Sequence, residues 1–144
     1  MKALLQRVGQ ASVSVEGEII AEIDRGLLVL LGVAQGDTVE QAAWLADKTA
    51  GLRIFPDADK PMNCSVVDAE GAVLVVSQFT LAADTSRGKR PGFSSAMPPE
   101  LAEPLYLEYV RLLGMQCPVQ TGRFGADMQV ALVNDGPVTF LLER

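Results

Sequence analysis

Ala72-Val73-Leu74-Val75-Val76-Ser77-Gln78-Phe79-Thr80 joins an unbroken apolar run to two hydroxyls, an amide and one aromatic ring. The five apolar residues predict a buried strand, because a half-exposed strand alternates polar with apolar side chains. Such a strand normally closes on a turn residue, whereas this one closes on hydrogen-bonding groups. Either the chain leaves the core there and satisfies its own polar atoms, or Ser77, Gln78, Phe79 and Thr80 form a pocket wall delivered by a rigid element.

Working back from this strand, Val66-Val67 and the turn residues Asp68-Ala69-Glu70-Gly71 predict a hairpin with it. Leu52-Arg53-Ile54-Phe55 reads as a short strand closed by Pro56-Asp57. Asp37-Thr38 can cap a helix through Gly51, with Val39, Ala42, Ala43, Leu45, Ala46 and Ala50 on one face. Leu4, Gln6, Val8, then Ala11, Val13, Val15, show period-two spacing broken at Gly9-Gln10, and turns at Glu16-Gly17-Glu18 and Asp24-Arg25-Gly26 extend a meander to Val33.

Working forward, Ala83 to Gly92 is a polar loop. A second helix starts near Pro98-Pro99-Glu100 and runs to Leu113, with Leu101, Leu105, Leu107, Val110 and Leu113 mostly inward and Gly114 as its stop. Val119 to Thr121, Met128 to Val133 and Val138 to Leu142 read as strands. Two helices against many strands, without a βαβ repeat, predict an α+β fold: a mostly antiparallel sheet or partly closed β-barrel covered by two helices. Residues 1–144 are expected to form a single domain.

Composition narrows the function. At 144 residues and 49% hydrophobic content, one domain buries about two-thirds of the surface its unfolded chain exposes, so neither disulfide nor metal is required. Cys64 and Cys117 have no metal-ligand spacing, which suits a reducing cytoplasm. The longest apolar stretch, Gly26 to Ala34, is short of the roughly 20 residues needed to cross a bilayer, and the N-terminus lacks signal-peptide character. A net charge of −6 argues against a general nucleic-acid coat. The absence of histidine removes Ser-His-Asp and Cys-His catalysis and His-ligated zinc. A hydrolase of this composition takes its proton transfers from a carboxylate, a water or the substrate.

Two further stretches can carry chemistry. Asn134-Asp135-Gly136-Pro137-Val138-Thr139 sets four turn-forming residues between apolar strands. It is either a plain hairpin connection or, if the Gly-Pro peptide is cis, a sharp bend that aims two consecutive carbonyls at one point. Thr85 to Ser94 holds Arg87, Lys89 and Arg90, no acid, and Phe93. It is either a solvated surface loop or a grip on a single-stranded nucleic-acid end, with Phe93 or Phe124 available to stack on a base.

Ser77-Gln78-Phe79-Thr80-Leu81 followed by Asn134-Asp135-Gly136-Pro137-Val138-Thr139 resembles the D-aminoacyl-tRNA deacylases, also called D-tyrosyl-tRNA deacylases. The resemblance extends to Gln6-Arg7-Val8 and Gly122-Arg123-Phe124-Gly125-Ala126 and covers essentially the whole chain. It implies a cytoplasmic, cofactor-free and metal-free editing hydrolase that cleaves the ester of D-aminoacyl-tRNA, and of glycine mischarged on tRNA. It also implies a homodimer with sites at the subunit interface, each receiving the 3′ end of an aminoacyl-tRNA. Gly136-Pro137, by analogy cis, would enter the partner's pocket and leave no room for an L side chain, with Arg7 holding that turn. Phe79 and Thr80 would act through backbone N–H groups and Ser77 and Gln78 through pocket polarity, while the tRNA 2′-hydroxyl assists attack by water.

Overall fold

A computed structural model describes residues 1–144. Six strands, two helices and one 3₁₀ turn follow in the order β1 (Lys2–Val15), β2 (Glu18–Ile23), β3 (Gly26–Gly32), α1 (Val39–Gly51), β4 (Ala72–Ser77), the turn (Phe79–Ala82), α2 (Pro99–Gly114), β5 (Val119–Thr121) and β6 (Gln129–Glu143). The strands lie in the order β2-β1-β3-β4-β5, with β6 on the other edge of β1. The result is the expected partly closed barrel covered by two helices, but it contains two βαβ units, β3-α1-β4 and β4-α2-β5, where the sequence pattern suggested none.

β1 is long enough to serve three partners. Its first half, Lys2 to Val8, pairs with β3; its second half, Ala11 to Val15, pairs with β2; its opposite edge pairs with β6 along nearly its whole length. Alternation puts Val8 on the face opposite Ala3 and Leu5, and the Gly9-Gln10 break brings Ala11 and Val13 onto the same side as Val8. Ala3 and Leu5 join the larger core shared with the helices, whereas Val8, Ala11 and Val13 point into the barrel.

The apolar run of β4 is continuous because both of its faces are buried. Val73 and Val75 pack in the core under the helices, Leu74 and Val76 in the barrel core, and all four are at most 2% exposed. Burying each such side chain is worth about 1.5–3 kcal/mol. The expected hairpin with Val66-Val67 does not form. β4 instead pairs in parallel with β3 on one edge and β5 on the other, so α1 and α2 each lie on a crossover between parallel strands. Residues 66–70 close on themselves instead. Asp68 Oδ2 accepts from Ser65 N–H at 2.9 Å and Ser65 Oγ at 2.8 Å, and Gly71 N–H donates to Val66 O at 2.9 Å. Leu52–Phe55 likewise contributes only an isolated bridge, Phe55 to Cys64.

The helices begin where the caps place them. Thr38 and Gln41 form a capping box on α1, and Pro99 occupies the first turn of α2, which continues through Pro104. Of the residues expected inward on α2, Leu113 is buried and Leu105 and Val110 pack partly buried against the core, whereas Leu101 and Leu107 are more than half exposed and Ala102, Tyr106 and Tyr109 complete the buried face. Two tyrosines occupy that face because each hydroxyl finds a partner, Tyr109 with Thr49 at 2.8 Å and Tyr106 with Val75 O at 3.0 Å.

Gly26 sits where β3 begins beside β4, and a Cβ there would lie 1.8 Å from the Ala72 carbonyl oxygen, which is backbone and pinned in the sheet. Gly26→Ala is expected to lower the unfolding free energy by about 3 kcal/mol, the upper range for overpacking. Urea denaturation of the two proteins checks this, and an unchanged midpoint would contradict it.

Candidate active site

Ser77 is the last residue of β4, and the chain turns immediately into the 3₁₀ turn that begins at Phe79. Two contacts fix that departure. Gln78 N–H donates to Leu31 O at 2.8 Å, and β3 approaches so closely at Gly32 that a Cβ there would meet Gln78 O and Leu81 Cβ, each at 2.9 Å. Phe79 and Thr80 therefore do not extend the strand. Leu81 N–H donates to Gln78 O at 3.2 Å and Ala83 N–H to Thr80 O at 3.1 Å. A 3₁₀ turn closed this way gives the N–H groups of Phe79 and Thr80 no acceptor within the turn.

At the carboxyl ends of β3 and β4 lies a cavity of about 670 Å³. Leu31, Val76, Ser77 and Gln78 form its floor, Phe79 and Phe93 one side, and Pro98, Ala102 and Tyr106 from the start of α2 another, with Phe124 to Met128 completing it. The Phe79 and Phe93 rings pack 5.1 Å apart and those of Tyr106 and Phe124 5.6 Å apart. Tyr106 ties this wall to the sheet, since Val75 O accepts both from its hydroxyl and from Gly122 N–H, each at 3.0 Å. Burial pushes the Tyr106 hydroxyl up to about 12, so it stays a donor across the physiological range.

The cavity thus gathers Ser77, Gln78, Phe79, Phe93 and Phe124. Thr80 lies beside it, exposed, with its Oγ accepting from the Gln78 side-chain amide. No cluster of three His, Cys, Asp or Glu side chains occurs anywhere in the chain. A second, more polar cavity of about 800 Å³, lined by Gln10, Glu22, Asp24 and Gln120, contains none of the residues singled out from sequence.

Arg7, Gly136 and Pro137 form a separate constellation. Gln6 pairs with Thr139 and Val8 with Asn134, so the single residue Arg7 faces four residues of β6, Asp135 to Val138. The segment between apolar strands is therefore a wide bulge within one continuous strand and not a hairpin connection. Asn134 closes its base, with Oδ1 accepting from Val138 N–H at 2.7 Å and Nδ2 donating to Thr139 Oγ1 at 3.0 Å. Arg7 spans its floor: Nε donates to Asp135 O at 2.9 Å, Nη1 donates to Ile54 O at 2.6 Å, and the Asp135 carboxylate lies 3.4 Å from Nε. Gly136 and Pro137 are exposed at the tip, and the peptide between them is cis.

The family model described as D-Tyr-tRNA(Tyr) deacylase matches residues 4–143. The chain belongs to this deacylase family. The D-aminoacyl-tRNA deacylase of Syntrophotalea carbinolica is 60% identical over 144 residues, covering 99% of this chain and 97% of that protein. That of Citrobacter koseri is 58% identical, covering 99% of each. Among solved structures, one titled c-Myc DNA Unwinding Element Binding Protein superposes with a TM-score of 0.94 at 43% identity, covering 100% of this chain and 99% of that one. A probable eukaryotic D-amino acid tRNA deacylase shares the fold, with a TM-score of 0.82 at 17% identity and 98% and 97% coverage.

For a member of the D-aminoacyl-tRNA deacylase family, the sequence left part of the cavity unmarked. Tyr106, Pro98, Ala102 and Met128 line it, and the signal that could have found them is the tyrosine pair three residues apart on α2, a polar-tipped stripe on an otherwise leucine-rich helix.

Arg7 is 8% exposed, and removing it orphans two carbonyls at about 1–3 kcal/mol each. Arg7→Met is expected to cost about 3 kcal/mol in denaturant unfolding, and to raise amide hydrogen exchange at Gly136 and Val138 before any change in α1. Unaltered exchange at those two amides would contradict the anchoring role.

Proposed function

We propose that this chain is an aminoacyl-tRNA editing hydrolase that cleaves the ester of D-aminoacyl-tRNA, and of glycine mischarged on tRNA, releasing amino acid and tRNA. The match of residues 4–143 to the deacylase family carries the proposal. The cavity supports it chemically: its floor offers a hydroxyl and an amide, its side offers the rings of Phe79 and Phe93, and two backbone N–H groups lead out of the adjoining turn. Those groups can bind a base, hold an ester and stabilise a developing oxyanion without a titrating side chain.

In this reading water is the nucleophile and the tRNA 2′-hydroxyl assists it. The reading is favoured by the lack of histidine and by a Thr80 hydroxyl whose partner is the Gln78 amide, which is no base. Ser77 and Gln78 hold the substrate, Phe93 and Phe124 stack against it, and the Phe79 and Thr80 N–H groups face the reacting carbonyl. The protein acts as a cytoplasmic homodimer of 1–144 domains, with Gly136-Pro137 of one subunit entering its partner's cavity and crowding out an L side chain. The exposed tip on an anchored base suits that role. No cofactor or metal takes part. No helix of the chain is long and apolar enough to cross a membrane.

Incubation with D-tyrosyl-tRNA and L-tyrosyl-tRNA tests the activity: rapid release of D-tyrosine and retention of L-tyrosine are expected, and equal or absent release would refute it. Thr80→Ala is expected to keep activity within about tenfold of the parent, where loss of a covalent nucleophile costs about 10⁶. An acyl-enzyme accumulating in the parent and vanishing in the variant would overturn the water mechanism.

A further inference from the structure

The loop between Asp84 and Gly92 carries charge that neither the core nor the cavity uses. Arg87, Lys89 and Arg90 are exposed, and no acid occurs from residue 85 to residue 99 in a chain of net charge −6. The ion pairs of the protein join Met1 to Asp37, Lys2 to Glu143, Arg7 to Asp135 and Arg111 to Glu108, so the three loop cations have no carboxylate partner.

Their position relative to the cavity is fixed. Asp84 N–H donates to Gly92 O and Gly92 N–H returns to Asp84 O, both at 2.8 Å, which clamps the base of the loop. The exposed Asp84 carboxylate accepts from Ser86 N–H at 2.9 Å. One residue beyond the clamp, Phe93 lines the cavity and packs on Phe79, and the next residue is held by Gln35 Nε2 donating to Ser94 O at 2.7 Å. The three cations thus stand on a loop whose base borders the cavity through Phe93.

We infer that Arg87, Lys89 and Arg90 form a phosphate-binding strap for the unpaired 3′ segment of an RNA whose last nucleotide sits in the cavity, an inference that rests on the proposed deacylase function. The chemistry selects this partner. The cavity with its paired rings accepts a base, while exposed cations on a clamped loop attract backbone phosphates without reading sequence. The otherwise acidic chain confines the attraction to this rim and repels nucleic acid elsewhere.

The test compares the full-length protein with the variant Arg87→Gln/Lys89→Gln/Arg90→Gln. The ligands are an RNA hairpin with an unpaired 3′ end and the same hairpin with a blunt end. Neutralising three contacts to single-stranded phosphate is expected to weaken overhang binding about tenfold at low salt and to reduce the salt slope by about 2. For D-tyrosyl-tRNA, KM rises with kcat unchanged, whereas turnover of D-tyrosyl-adenosine, which has no phosphate, stays at the parental rate. Unchanged overhang affinity and slope would overturn the strap, as would an equal loss on the blunt hairpin or a variant that no longer turns over D-tyrosyl-adenosine. A parent protein that hydrolyses neither ester but shows the same overhang-specific, charge-dependent binding would refute the deacylase reading and leave the phosphate contact standing.

Discussion

β1 is the strand on which everything else depends. Both of its edges are hydrogen-bonded, one to β6 and the other divided between β3 and β2. On that edge β3 takes Lys2 to Val8 and β2 takes Ala11 to Val15, and the division falls at Gly9-Gln10. A separate register shift, between Gln6 and Val8, leaves Arg7 opposite a widened segment of β6. The barrel interior, the core under the helices and the Asn134 to Val138 bulge are thus consequences of one strand satisfying all its backbone groups.

Features governed by local chemistry could be read directly from the chain. The capping pair at Asp37-Thr38, the proline start of α2 and the doubly buried run before Ser77 stand where the sequence set them. The pairing of β4 was not legible, because an apolar strand buried on both faces fits a hairpin or a parallel crossover equally well. Both edges of β4 are taken by β3 and β5, partners distant in sequence, which leaves residues 66–67 no edge to join. The inward face of α2 was legible in Leu105, Val110 and Leu113 but not in its tyrosines: leucine outranks tyrosine as a core residue until a hydroxyl acceptor is available, and Val75 O and Thr49 lie on other elements.

The candidate site divides the same way. Ser77, Gln78, Phe79, Phe93 and Phe124 meet at one cavity although they come from segments far apart in the chain, while Arg7 and Gly136-Pro137 form a second group on β1 and β6. A motif identifies such residues but not the scaffold behind them. Tyr106 shows what is lost: it reaches under the cavity to share the Val75 carbonyl with Gly122, and so fixes the distance between a helix and a strand.

The bulge in β6 has an evolutionary consequence. Its roots are held by the β1 ladder, by Asn134 and by Arg7, whereas its tip contacts solvent. Substitutions at Pro137 therefore change exposed surface, whereas Gly136 is held to glycine by its φ of +150° and by the Val138 N atom, which a Cβ would approach to 2.8 Å. Freedom to vary thus differs between adjacent residues of a single six-residue segment.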